Sequence, residues 1–432
     1  MKIIIAVHHF PPKYTSGAEL RAFRTAQALQ KRGYEVRAVC VENIDKGPDG
    51  GVTWRDEIYD GVPVRRLSFN LESAPDPFRW SYDNLWIGDH LSTMLANYKP
   101  DIFHLVSGYI MSGRALHAAY RHNIPTVLSL TDFWFLCPRI TMLRSDGHVS
   151  TLPIDPVQCS KCLAEEQRRY RLPGQYAPKL TDVYWKYQHG HIERIQDRLN
   201  FLHDTLNQVN AIISPSQFLR SLFIETGTDP NSIIFSRQGH DFSHVSSGLL
   251  QKIPSDTLRI GYVGQIAPHK GVHVLFEAVR LLPNANVMVK AYGDATPFPS
   301  YTAQLQKLAT HDERLELAGV YQRKNVSKVL QELDVIVVPS VWYENSPNSM
   351  LESFAHKTPV IASDLGGMAE LVLHGQNGLL FEVGNPNSLA EQLQHLLDES
   401  DLLLSLRSGI TPIKSTTQEL DELEAIYHHQ DV

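Results

Sequence analysis

Short apolar runs recur along the chain, each ending in a polar or glycine-bearing loop that leads into a stretch of helical spacing. In the first half they fall at residues 3–7, 35–41, 101–106, 126–130 and 211–216. In the second half they fall at 258–264, 287–291, 315–320, 335–338, 360–362 and 379–381. Runs of this length, rich in Val and Ile and not alternating with polar residues, mark strands buried on both faces of a parallel sheet. Helices are predicted between them: 18–32, ended by Gly33; one beginning near Gly271; 324–333; a stretch through Met350, Leu351, Phe354 and Ala355; 388–399; and a tail over 416–431. This alternation predicts an α/β fold with doubly wound sheets.

At 432 residues the chain is long for one core, so two domains are expected. A polar stretch with Ser, Gly and Pro at 243–257 reads as the linker. That places a first domain at 1–242 and a second at 258–412, with 413–432 as a C-terminal element. Within the first domain, an insertion over about 137–205 carries the cysteines and, from Glu165 to His203, is charged, aromatic and poor in β-branched residues.

Charge excludes some classes of function. The net charge is −7; the first 240 residues carry 27 Lys+Arg against 24 Asp+Glu, the remainder 13 against 23. Neither half is basic enough for nucleic acid. If either approaches an anionic membrane or acceptor, it is the first. No apolar run approaches the length of a membrane span. The apolar start of the chain is too short for a signal peptide, because His8-His9 and Pro11-Pro12 follow directly. A cytoplasmic location is expected, with peripheral contact on the inner face of a membrane as an option.

The stretch 334–378 carries the densest chemistry. After the run 335–338 come Pro339-Ser340, then Glu344 and Glu352 in E-x7-E spacing, then Thr358-Pro359, a short strand, and Gly366-Gly367. The carboxyl end of a parallel strand leading into a helix is where open α/β sheets bind ligands. Backbone N–H groups at that helix start, around Ser346, Asn348, Ser349 and Met350, suit an anion such as phosphate. A carboxylate such as Glu352 only accepts hydrogen bonds and suits a pair of sugar hydroxyls. Spacing alone does not separate this from a solvated helix face. A second phosphate candidate is the glycine turn Gly264-Gln265 leading to Lys270-Gly271, where Lys270 is a compact cation. A third is the first loop, with Ser16-Gly17 at a helix start. That loop lacks G-x-G-x-x-G, which argues against a dinucleotide-binding oxidoreductase or epimerase.

Together, strand, P-S, E-x7-E, T-P-V-I-A and the glycine pair resemble the retaining glycosyltransferases of family 4 (glycosyl transferases group 1). The resemblance covers nearly the whole chain and is densest over 258–385. It implies the GT-B fold, with two Rossmann-like domains facing across a cleft and a C-terminal helix packing back on the first. It implies transfer of a sugar from a nucleotide-diphosphate sugar to a glycan or lipid-linked acceptor, in polysaccharide or glycolipid assembly. Glu352 then binds the ribose, Glu344 and Asn345 orient the donor sugar, and Lys270 stabilises the diphosphate. Val320, after the strand 315–319, lies where the family reads the base. Gly17, His104 and Asp132 would approach from the first domain. His104 matches the family's D-x-x-H strand end, although a satisfied structural histidine fits as well.

Two positions depart from the family pattern. Thr131 stands before Asp132 where a histidine is common, and Gln265 stands where an arginine is common. In the front-face mechanism usually proposed for the family, the leaving phosphate takes the acceptor's proton, which lessens the weight of the missing histidine. Arg323 is a further candidate for the charge Gln265 lacks. A non-catalytic GT-B protein that binds nucleotide sugar is the alternative reading.

Cys137, Cys159 and Cys162, with His148, could close a tetrahedral structural zinc site, and buried or free thiols are the alternative. No cofactor is required for catalysis on this reading. The basic and aromatic run from Arg168 to Tyr187 suits either a membrane surface or a solvated helical insertion.

Overall fold

The computed structural model describes residues 1–242, 245, 252–322 and 325–430. The chain forms two compact units. One comprises the described residues of Met1–Pro215, Leu219–Ser236 and Thr417–Val432, the other those of Ser216–Phe218 and Arg237–Thr416. The last helix, Thr416–Gln430, thus lies almost wholly in the first unit. Arg323 and much of the stretch 243–257 lie outside the described residues.

The first unit is built on an eight-stranded sheet in the order β3-β4-β2-β1-β5-β6-β7-β8. Its strands are β1 (Lys2–Val7), β2 (Glu35–Asn43), β3 (Thr53–Tyr59), β4 (Val62–Ser68), β5 (Ile102–Val106), β6 (Thr126–Ser129), β7 (Ala211–Ser214) and β8 (Ile233–Phe235). All pairings are parallel except β3 with β4. Ile3, Ile4, Ile5, Ala6 and Val7 are all fully buried, as an unbroken apolar run in a central strand requires. The helix Gly17–Lys31 covers one face through Ala22, Ala26 and Leu29. It stops where Gly33 takes φ 90 and its N–H reaches the Gln30 carbonyl.

Three elements of this unit go beyond the apolar runs. β3 and β4 form a hairpin through Asp60-Gly61, both at positive φ. β8 adds a strand beyond the expected last one. The insertion contributes the helices Pro156–Ala164, Arg168–Tyr176, Pro178–Lys186 and His189–Leu206.

The second unit holds a six-stranded parallel sheet in the order β11-β10-β9-β12-β13-β14. These are β9 (Leu258–Val263), β10 (Val287–Tyr292), β11 (Leu315–Gly319), β12 (Val335–Val338), β13 (Val360–Ser363) and β14 (Gly378–Phe381). Ile260, Val289, Val335, Val337 and Ile361 share one buried cluster with Val272, Leu275, Phe276 and Leu393 of the covering helices. At the amino-terminal edge, the Arg259 guanidinium forks onto Asp334 at 2.9 Å from each of two nitrogens, fixing β9 beside β12. Strand order reverses between β9 and β12, and the loops after these two strands therefore diverge around a crevice.

Candidate active site

In the second unit the two loops at this reversal meet. The β9 loop turns at Gly264, passes Gln265 and reaches Lys270; the β12 loop runs through Ser340, Trp342 and Glu344 to the helix Asn348–Ala355. Lys270 Nζ lies 2.5 Å from Glu344 Oε1 and 4.7 Å from the centre of the Trp342 ring. The same oxygen accepts from Trp342 Nε1 at 2.9 Å and Ser340 Oγ at 3.1 Å. Burial alone would raise the Glu344 pKa, but the Lys270 charge and these donors outweigh it and hold the carboxyl below its ordinary value.

Glycines allow the loops to approach this closely. Gly271, at φ 73, passes so near Pro339 that a Cβ would stand 1.9 Å from its carbonyl oxygen. Gly367, of the pair after β13, lies under Asn345: a Cβ there would stand 2.0 Å from the Asn345 carbonyl oxygen. Its N–H instead donates to Glu344 O at 2.8 Å. The glycine pair therefore shapes the loop that carries Glu344 and Asn345.

Next along the chain, Ser346 Oγ is buried with no protein partner among the described residues. Asn348 and Ser349 open the helix, and Glu352 follows one turn later, half-buried. Gln265 is exposed; its carbonyl accepts from Tyr262 Oη at 2.7 Å. Val320 is 75% exposed just after β11. Sequence reasoning gave Trp342 no role. An indole between a strand end and a glutamate carries no spacing signal that its N–H will reach that carboxylate.

In the first unit, Asp132 follows β6. Its Oδ2 accepts from Ser107 Oγ at 2.7 Å and Thr131 Oγ1 at 2.9 Å, and its Oδ1 from the Trp134 N–H at 2.8 Å. Thr131, in the position of the family's histidine, thus orients Asp132. Gly17 is exposed at its helix start, with open space where a Cβ would stand. Behind it, Glu19 is buried, with Ser16 Oγ on one oxygen and His8 Nε2 at 3.1 Å from the other. Burial opposes its ionisation, yet the His8 and Ser16 contacts prevail and bring its pKa to about 2.

His104 is not available to a substrate, and this corrects the expectation for it. The ring is buried, with Nδ1 2.6 Å from Tyr427 Oη and Nε2 2.9 Å from Ser129 Oγ. Burial lowers its pKa to about 3, so it is neutral at ordinary pH. It joins β5 and β6 to the last helix.

The zinc ligand set does not assemble either. Among the described residues no group of three or more His, Cys, Asp or Glu side chains is arranged to hold a metal ion. Cys137, Cys159 and Cys162 line one pocket, but His148 is not part of it. Cys162 Sγ instead accepts from Arg139 at 3.4 Å and the Ser145 N–H at 3.3 Å. A guanidinium on the sulfur opposes a second cation there. Burial pushes the Cys159 thiol up to about 12, keeping it protonated.

Residues 16–236 match the glycosyl transferase 4-like domain family, and residues 257–399 match glycosyl transferases group 1. The chain belongs to glycosyltransferase family 4. An uncharacterised glycosyltransferase of Methanocaldococcus jannaschii is 31% identical over 145 residues, 34% of this chain and 40% of that protein. A D-inositol 3-phosphate glycosyltransferase of Corynebacterium glutamicum is 31% identical over 158 residues, 34% of this chain and 37% of its own length. The chain thus matches well under half the length of these curated relatives. Among solved structures, HepE of Anabaena in complex with UDP superposes with a TM-score of 0.67 at 17% identity, covering 99% of this chain and 100% of that one. At that identity the likeness concerns the fold, and the fold class is GT-B with two Rossmann-like domains. No helix among the described residues is long and apolar enough to cross a membrane.

Proposed function

We propose that this family 4 protein is a retaining glycosyltransferase that moves a sugar from a nucleotide-diphosphate sugar to a glycan or lipid-linked acceptor, in polysaccharide or glycolipid assembly. The observation that carries this reading is the meeting of Lys270 and Glu344 on the two loops at the sheet's reversal, beside a glycine-shaped helix start. Names of relatives support the class: HepE is described in complex with UDP-glucose, and one C. glutamicum relative is a GDP-mannose-dependent alpha-mannosyltransferase. The latter is 23% identical over 443 residues, spanning 100% of this chain and 89% of its own length.

On this reading Lys270 and the N–H groups at Asn348 and Ser349 stabilise the diphosphate as negative charge builds on it. They carry that charge without a divalent ion. Among the described residues the three side-chain donors to Glu344 all meet Oε1, which leaves Oε2 to accept from a sugar hydroxyl. Glu352 accepts from the ribose, and Val320 flanks the base. In the first unit, Asp132, fixed by three donors, is the carboxylate assigned to the acceptor, and Gly17 leaves its backbone open. A lipid-linked acceptor would bring the first unit to a membrane surface.

A thermal-shift panel of UDP, GDP, ADP and their sugars, on wild type and Glu352→Ala, tests the donor site. A ligand that binds only the folded state raises its melting temperature. One nucleotide family should stabilise wild type and not the variant, and should then support sugar release or transfer. No shift with any nucleotide in folded protein would refute the reading.

A further inference from the structure

The helix Pro178–Lys186 is turned inside out. Leu180, Val183 and Tyr184 of this helix and Tyr187 at its C-cap recur at i, i+3, i+4 and i+7, the spacing that ordinarily faces a core. Here they face solvent: Leu180 is 73% exposed, Val183 53%, Tyr184 47% and Tyr187 70%, and Tyr176 at the end of the preceding helix is 85% exposed. The opposite side of the helix holds it to the first unit. Trp185 is buried, with its ring 5.5 Å from those of Tyr170 and His191. Asp182 pairs with Lys161 of the neighbouring helix at 2.7 Å. The stripe is therefore displayed by a fixed helix.

The same segment is rich in exposed cations. Between residues 168 and 187 the chain carries Arg168, Arg169, Arg171, Lys179 and Lys186, all exposed, while Asp182 is the segment's single carboxylate. This local excess of positive charge sits in a chain whose net charge is −7.

We propose that the paired helices Arg168–Tyr176 and Pro178–Lys186 dock on an anionic lipid surface, with the Leu180–Tyr187 stripe entering the headgroup boundary and the five cations meeting lipid phosphates. Helices that combine an apolar stripe, interfacial aromatics and flanking Lys and Arg lie in such interfaces. Tyrosine suits the boundary, since its ring is apolar and its hydroxyl stays wet. Charge argues against a second copy of this chain as the occupant. A self-complementary contact would set the same cation-rich patch against itself. The inference deepens the lipid-linked branch of the proposed function by naming the surface, and it rests on that reading only for the choice of a membrane.

The test is co-sedimentation of the full chain with vesicles of phosphatidylcholine alone and of phosphatidylcholine with one quarter phosphatidylglycerol. Wild type should sediment with the anionic vesicles and stay in solution with the neutral ones. Leu180→Glu/Tyr184→Glu and, separately, Lys179→Glu/Lys186→Glu should each weaken binding about tenfold or more. These positions are exposed, so melting temperature and nucleotide-induced shift should be kept by both variants. That retention separates failure of the docking surface from failure of the donor site. Undiminished vesicle binding by both variants overturns the proposal, as does no binding by wild type. Light scattering that shows a wild-type dimer dissociated by Leu180→Glu/Tyr184→Glu also overturns it, assigning the stripe to self-association.

Discussion

Lys270 and Glu344 form an ion pair at 2.5 Å that joins the loops following β9 and β12. The pair lies partly out of water, with the two side chains 21% and 13% exposed. Removing one partner leaves the other charge poorly solvated. Lys270→Ala should cost about 2 kcal/mol in urea unfolding, less than the ~3–5 of a fully buried pair. It should also abolish most nucleotide-diphosphate binding.

The same pair gives a pH signature. Glu344 titrates below its ordinary value in the folded protein. Its contribution to stability is complete above about pH 4.3, where the unfolded carboxyl is ionised, and fades as pH falls through the lower native value. Glu344→Gln should flatten that acid limb. Melting temperatures of wild type and variant, recorded from neutral pH downward, would show no difference in slope if the pair were unimportant.

Gly367→Ala should separate binding from stability. Its new methyl meets the Asn345 carbonyl, so the Glu344–Asn345 loop must shift. An overpacked contact costs about 1–3 kcal/mol. Nucleotide-sugar affinity, read by calorimetry, should fall further than that stability loss predicts. Equal affinity in variant and wild type would show that the glycine pair has no part in shaping the donor loop.

Tyr427→Phe tests the place of His104. It removes the hydroxyl from Nδ1 and leaves a buried polar atom without a partner, at a cost of about 1–3 kcal/mol. His104 titrates at about 3 in place of 6.5. The unfolded chain therefore binds more protons between those values, and wild type should lose stability as pH falls from about 6.5. His104→Phe should remove this component while leaving nucleotide binding intact. A loss of nucleotide binding at full stability would return His104 to the donor site.

Exhaustive dialysis against a chelator should leave the melting temperature unchanged, because Arg139 and the Ser145 N–H occupy Cys162 Sγ. A fall of several degrees, restored by zinc, would show that the three cysteines hold a metal after all.

The strands were legible because burial on both faces leaves a local mark. After Lys2, β1 is an unbroken apolar run, as β12 is throughout, and these apolar residues are all buried. The loops at Gly264 and Pro339 were legible for a related reason, since glycine and proline limit the backbone over a few residues. The hairpin β3–β4 escaped notice despite Asp60-Gly61, because β3 is largely exposed and carries no apolar run. The Arg168–Tyr187 segment shows the limit of periodicity. Its stripe spacing says that one side of a helix is apolar, and nothing in it says which side faces the core.

By itself, then, the sequence determined the alternation of strand and helix, the placing of Glu344 and Lys270 on loops after strands, and that of Glu352 on the helix that follows. These follow from interactions within a few residues, where hydrophobic period and backbone restriction decide. Tertiary structure alone decided which side chains meet. Sheet order set the loops of Lys270 and Glu344, 74 residues apart, face to face. It brought Tyr427 to His104 across 323 residues and thereby took that histidine out of the candidate site. It also put a guanidinium on Cys162, where the sequence left zinc and free thiols as alternatives. Contacts across such separations depend on how whole elements stack, and no local pattern along the chain records that.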